Sequence, residues 1–158
     1  MSSLFGDWSR VNSFLTKVAN LTKSSREILE EIGNLIEIRI KQNIENQSLN
    51  LPPLTKKYAE EKARKGLDPR ILIATREYVE NIKVLDIKKE GNTLILFVGV
   101  PSGEKHHSGL SFAELAYYIE YGTVKSPARP AFTLTWKELR EEINPIYIKK
   151  LAEELFIW

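Results

Sequence analysis

Leu94-Ile95-Leu96-Phe97-Val98 is apolar at five consecutive positions directly after a turn. Successive side chains of a strand point to opposite faces, so a strand apolar throughout needs cover on both. The segment before it, 83–89, alternates over only part of its length, and Glu90-Gly91-Asn92 between them has turn chemistry. The two therefore predict an antiparallel hairpin, with 93–100 as the return strand. Two or three strands make a marginal sheet whose open edges invite pairing. Helices can cover one face; another copy of the chain is the simplest cover for the rest.

The remainder reads mostly as helix, and 158 residues suit one domain. We divide it into a helical N-terminal segment, 1–46, and an α+β body, 47–158. Ser24-Ser25-Arg26-Glu27 fits a capping box, in which a hydroxyl and a carboxylate satisfy the free N–H groups of a helix start. Ile28, Ile32, Leu35, Ile36 and Ile40 follow at helical spacing, and Val11, Phe14, Leu15 and Val18 predict a shorter helix leading in. Pro52-Pro53 closes a connector. Thr55 is placed to cap a charged helix to about Arg64, stopped by Gly66, and Thr75 to cap one or two turns through Glu80. Ser111 and Glu114 form a second capping box, flanked by Leu110 and Leu115 at hydrophobic-staple positions. Phe112, Leu115, Ala116 and Ile119 then make one stripe, and Gly122 sits where a left-handed C-terminal cap is expected. A loop stiffened by Pro127 leads to Pro130 at the first turn of another helix, with a short strand over 132–136 as the alternative reading. Asn144-Pro145 is expected to break that helix, and a last one ends in Leu155-Phe156-Ile157-Trp158. The fold class is α+β: a long N-terminal helical segment, a small antiparallel sheet built around the hairpin, and helices packed on it.

Several function classes are set aside by composition. A net charge of +2 does not by itself imply a polyanionic partner, and the absence of cysteine removes disulfides and thiolate metal sites. The first residues lack the basic start and apolar core of a secretory signal, and the apolar run 94–100 is too short to cross a bilayer. These features predict a protein made in the cytoplasm, with no membrane partner. His106-His107 lacks a third histidine, and adjacent residues of an extended loop point apart, so we expect a solvated loop and no metal. Ser108 and Glu114 lie nearby, but nothing places a base and an orienting group around a nucleophile. No catalytic residue and no cofactor is therefore predicted, and the chain is not read as an enzyme. Lys56, Lys57, Lys62, Arg64, Lys65 and Arg70 outnumber Glu60, Glu61 and Asp68. A solvated helix face is the preferred reading; if DNA is met, Lys56, Lys57, Lys62 and Lys65 are the DNA-facing set. Glu120 and Arg129 are singled out as a pair, with Arg129 bridging to a carboxylate within the subunit or across an interface. Phe156 and Trp158 would dock on this domain or on a neighbour, since large apolar residues near a chain end are costly in water.

Three segments, in order, resemble one family. They are Leu54-Thr55 with its charged helix and then Ile71-Leu72-Ile73-Ala74-Thr75; the strand ending Val98-Gly99-Val100-Pro101; and Tyr118-Ile119-Glu120-Tyr121-Gly122-Thr123 followed by Pro127-Ala128-Arg129-Pro130-Ala131-Phe132. This set is similar to the tailed-phage head–tail connector and tail-completion proteins, over about Ile28 to Leu139. The resemblance implies a non-catalytic virion subunit that forms a homo-oligomeric ring at the neck, between the portal and the tail proteins. On that reading Glu120, Gly122, Thr123, Arg129 and Pro130 form an interface or motif, and DNA in the channel is a possible non-specific contact. A virion assembly factor absent from the mature particle, or a DNA-binding module using 56–70, are the competing expectations. The family usually carries glycine after the threonine matched to Thr75, where this chain has Arg76. If that glycine serves a left-handed turn, Arg76 implies a different local backbone.

Overall fold

The computed structural model describes residues 12–13, 15–16 and 21–156. Its elements are α1 (Leu21–Glu45), α2 (Lys56–Arg64), α3 (Glu77–Glu80), β1 (Lys83–Glu90), β2 (Thr93–Gly99), α4 (Phe112–Tyr121) and α5 (Ala131–Phe156). The α+β class is as expected: a long helix, a two-stranded antiparallel sheet and further helices. Of the shorter leading helix, Val11, Phe14 and Val18 lie outside the described residues, while Asn12, Ser13, Leu15 and Thr16 are helical.

The organising feature is a row of isoleucines at every fourth position of α1: Ile28, Ile32, Ile36, Ile40 and Ile44, all buried. At 3.6 residues per turn each four-residue step overshoots a full turn by about 40°, so the row winds roughly 160° around the helix. One helix can thus serve different neighbours along its length. Towards its start, Gly33 lets α1 lie on the hairpin; a Cβ there would fall 2.9 Å from Val84 Cγ2 and 3.0 Å from Leu96 Cδ1. Further along, α1 packs on α5, whose Ala131, Thr135, Leu139 and Ile143 also recur every fourth residue and are buried. The two run antiparallel, since Asn43 meets Thr135 and Glu138, Arg39 lies 3.6 Å from Glu142, and Glu31 pairs with Lys150.

A buried polar contact fixes that packing. Asn43 Nδ2 donates to Thr135 Oγ1 at 3.0 Å and to Glu138 Oε2 at 2.8 Å, while its Oδ1 accepts from Ser48 Oγ at 2.8 Å. Sliding either helix by one turn would leave the buried Asn43 amide N–H groups and the Thr135 hydroxyl without partners, a cost of about 1–3 kcal/mol each.

The hairpin turns through Gly91-Asn92, with Gly91 at φ 59°, one residue tighter than expected. Its pairing runs from Glu90 opposite Thr93, through Ile87 opposite Leu96, to Lys83 opposite Gly99, with an irregularity between Val84 and Asp86. α1 closes the outer edge of β1: Glu37 Oε2 accepts the Val84 N–H at 2.9 Å, and Arg26 donates to the Ile87 carbonyl at 3.0 Å. Hydrogen-bonded pairs alternate along such a ladder, so Leu94 and Leu96, opposite Lys89 and Ile87, turn their backbone groups away from β1. Among the described residues nothing pairs with that edge. The far face of the sheet is also open: Leu85 is 43% and Phe97 40% exposed, with the Lys88 ammonium 5.3 Å from the Phe97 ring. Among the described residues, then, only the face of this strand towards α1 has other elements packed on it.

Local signals succeeded at Thr55, whose hydroxyl accepts the Tyr58 N–H, and at Ser111–Glu114, where both halves of the capping box form. Three expectations need correction. The helix is already under way at Leu21, so Ser24–Glu27 lies inside it rather than at its start. Thr75 does not cap α3; the preceding position is Arg76, left-handed at φ 67° and with no side-chain cap. Pro145 does not end a helix: α5 continues from Ala131 to Phe156. The missing N–H of Pro145 releases one carbonyl a turn earlier, on the solvent side where Glu141 and Glu142 are exposed and water can satisfy it. Among the described residues no helix is long and apolar enough to cross a membrane.

Glu37 gives the fold an acid-sensitive tie. Burial raises its pKa, but the hydrogen bonds from Lys41 and the Val84 N–H outweigh this and hold it below the ordinary 4.5. Its contribution is thus complete above pH 4.5 and lost as pH falls through the lower folded value. Urea unfolding across this range should show the stability gap between wild type and Glu37→Gln narrowing as pH falls; a constant gap would remove the carboxylate from this role.

Candidate functional site

Five of the predicted motif residues, Glu120, Gly122, Thr123, Arg129 and Pro130, converge where α4 hands the chain to α5. The Gly122 N–H bonds back to the Tyr118 carbonyl at 2.9 Å, and Gly122 itself has φ 77° and ψ 179°. That is an extended mirror region open essentially to glycine, rather than the ordinary left-handed cap. Space forbids a side chain as well, since a Cβ would lie 2.7 Å from the Ala128 nitrogen and 3.0 Å from the Ser126 carbonyl oxygen. Thr123 closes the following turn: its N–H reaches the Ser126 carbonyl at 2.8 Å, and its hydroxyl accepts from the Lys125 and Ser126 N–H groups at 3.2 and 3.1 Å. The chain then returns to α4 through the Arg129 N–H, 2.7 Å from the Ile119 carbonyl. Pro130 stands just before α5, and its carbonyl accepts the Leu134 N–H at 3.0 Å.

Glu120 and Arg129 do not pair with each other. Glu120 reaches forward to the start of α5, where its carboxylate accepts the N–H groups of Phe132 at 3.2 Å and Thr133 at 2.7 Å. It is a cap supplied from another helix, placed where the helix dipole favours a negative charge. Arg129 reaches the connector before α2, donating to the carbonyls of Pro52 at 2.9 Å and Pro53 at 3.1 Å and to Ser126 Oγ at 3.0 Å. The prolines leave those carbonyls without a helix or strand to join, and a guanidinium fork satisfies both. The expected carboxylate bridge is replaced by backbone anchoring.

Lys62 does not belong to the DNA-facing set. It is 2% exposed, and its ammonium donates to the carbonyls of Arg70 at 2.8 Å and Ile73 at 2.7 Å. Burial lowers its pKa, with Asp68 opposing. α2 has few apolar residues to turn inward, and Lys62 shares the inner face with Ala59, so its stem fills the core while its tip caps the loop after α2. Lys56 and Lys57 are exposed, and Lys65 lies 2.7 Å from Glu61. Arg70 folds over Asp68, with 2.9 Å from Nε to Oδ1, which further thins the basic excess.

These anchors surround a cleft of about 450 Å³ between α2, the 72–76 segment, α4 and the 125–129 loop. Tyr78 lines it, and its buried hydroxyl has no partner among the described residues. Burial, and then the charge of Glu120, raise the Tyr78 pKa, so it stays a neutral phenol. A larger apolar groove of about 830 Å³ runs between α1, β2 and α5, with Trp136 and Phe132 on its rim.

The two histidines do not splay apart in a solvated loop. Residues 104–112 fold back on themselves, with the His106 N–H on the Leu110 carbonyl at 2.9 Å and the Phe112 N–H on the Glu104 carbonyl at 3.1 Å. The imidazole centroids are 3.8 Å apart, and both rings face Glu77 of α3. Sequence spacing gave no sign of Glu77, which is 30 residues from His107 and meets it only through the tertiary fold. Ser108 Oγ is 2.9 Å from His106 Nδ1, but the Ser108 N–H already donates to that nitrogen at 3.2 Å, so it offers no free base for the hydroxyl. Phe156 closes α5, but its side chain, like Trp158 as a whole, lies outside the described residues.

No family model, curated protein or solved structure matches this chain.

Gly122→Ala should therefore cost more than the ~1–3 kcal/mol of backbone strain alone, because the Ala128 backbone must also move. Tyr78→Phe should be neutral or raise stability by up to about 1 kcal/mol, since it removes an unsatisfied buried hydroxyl. Urea titration measures both; a tolerated Gly122→Ala would contradict the loop geometry, and a marked loss in Tyr78→Phe would give its hydroxyl a bonded role.

Proposed function

We propose that this protein is a non-catalytic structural subunit of a tailed-phage virion, a ring-forming neck protein that joins or completes the head–tail junction. The observation that carries the reading is the incompleteness of the sheet. Among the described residues, β2 leaves one edge and the outer face it shares with β1, Phe97 and Leu85, to a neighbour, while its inner face lies towards α1. A second copy that covers this strand with a different surface of its own gives a repeating head-to-tail contact, which closes into a ring when the rotation allows. Support also comes from the motif residues on which the resemblance rests. Leu54, Thr55, Ile119, Arg129 and the 72–76 segment line one cleft, as a shared local architecture requires. Arg76 stands where the family has glycine and has φ 67°, the conformation glycine would serve, so the different local backbone expected of an arginine there does not arise. Its ion pairs with Glu45 and, at 3.8 Å, with Glu80 offset part of that strain.

An assembly factor missing from the finished particle would share these features, and mass spectrometry of purified virions separates the two. The DNA-binding reading loses support with Lys62 turned inward.

Light scattering of the purified protein should give a discrete multiple of 18.2 kDa. The double variant Leu85→Glu/Phe97→Glu should fall to the single-chain mass with an unchanged circular dichroism spectrum. A wild type at 18.2 kDa at every concentration, or a ring indifferent to both changes, would overturn the reading.

A further inference from the structure

We propose that Glu77, His106 and His107 form a binding site for a divalent transition-metal ion of the zinc type, which clasps the 104–112 loop to α3. One Glu77 oxygen and one nitrogen of each imidazole all lie within 4.8 Å of one another. Glu77 Oε2 is 2.7 Å from His107 Nδ1 and 3.5 Å from His106 Nε2. Donors about 2.0–2.1 Å from a tetrahedral zinc ion stand roughly 3.4 Å apart, so the three need move only by about 1 Å to share one. Two imidazoles and a carboxylate suit zinc and its neighbours rather than magnesium or calcium, which prefer all-oxygen sets.

The site is also held in place. His106 is the most buried of the three, at 13% side-chain exposure against 32% for Glu77 and 57% for His107. Its ring stands edge-on to Phe112 with centroids 5.8 Å apart, and Phe112 is fully buried at the start of α4. With Nε2 on the ion, the ring proton sits on Nδ1 and donates to Ser108 Oγ, 2.9 Å away, in place of the contact from the Ser108 N–H. Such an outer partner fixes both tautomer and ring orientation. His107, the most exposed of the three, binds through Nδ1, the nitrogen nearest Glu77, and water completes the shell.

The chain has two histidines and no cysteine, so imidazole signals report on this site alone. Tag-free protein titrated with Zn²⁺ by calorimetry should take up one ion per chain. The proton resonances of both rings should shift together, and Co²⁺ in place of Zn²⁺ should give visible absorption. His107→Ala, the more exposed of the two, should abolish one-to-one uptake without changing the fold. Glu77→Gln should weaken it, and Ser108→Ala should lower affinity by ~10-fold. A wild type that takes up no Zn²⁺ at micromolar protein would overturn the site, leaving an imidazole–carboxylate clasp without an ion. Uptake that persists in His106→Ala/His107→Ala would place the ion elsewhere and overturn it equally.

Discussion

α1 carries five buried isoleucines in a single four-residue row, and a row of that spacing cannot stay on one face of a helix. It must turn, and the neighbours it buries must be arranged around the helix rather than along one side. Isoleucine is stiff at χ1 and a mediocre helix former, so the row is stable only when it is covered. Each fully buried isoleucine contributes about 1.5–3 kcal/mol. Covering the row takes the hairpin at one end and α5 along the rest, which in turn fixes where the chain between them must travel. The site residues ride on that path: α3 enters the hairpin, and α4 leaves it for α5.

Backbone carbonyls and N–H groups stranded along this path explain most of the polar side chains first suspected of function. Arg129 serves two proline carbonyls, Lys62 the carbonyls of Arg70 and Ile73, and Glu120 the N–H groups opening α5. Gln47 does the same for both backbone groups of Ile71, accepting its N–H at 2.8 Å and donating to its carbonyl at 3.0 Å. Chain segments that belong to no helix or sheet still need partners when buried, and long polar side chains bring them. A motif of Glu, Gly, Arg and Pro can therefore persist for architecture alone.

What the sequence disclosed follows the range of the interaction concerned. The Thr55 cap, the Ser111–Glu114 box and the hairpin depend on residues within a few positions, and each was legible. Gly122 was placed correctly as a special residue, though its ψ depends on the distant Ala128 backbone. The inward turn of Lys62 was missed because lysine is ordinarily solvated; its place beside Ala59 on α2 was the available clue. Ser24–Glu27 misled because a capping-box pattern has no force inside a helix already running. Pro145 misled because an exposed carbonyl released by proline costs little. The meeting of Glu77 with His106 and His107 was beyond local reading, as it needs α3 and the 104–112 loop to be brought together by the core.

The buried ammonium of Lys62 has a consequence for chemistry in solution. Acylating reagents attack the free amine, and this one is both shielded and engaged on two carbonyls, whereas Lys56 and Lys57 on the same helix stand in water. Labelling of α2 is thereby divided into prompt and protected amines by the fold itself. The protected one becomes reactive only when the loop after α2 lifts away, so its labelling rate is a clock for that local opening.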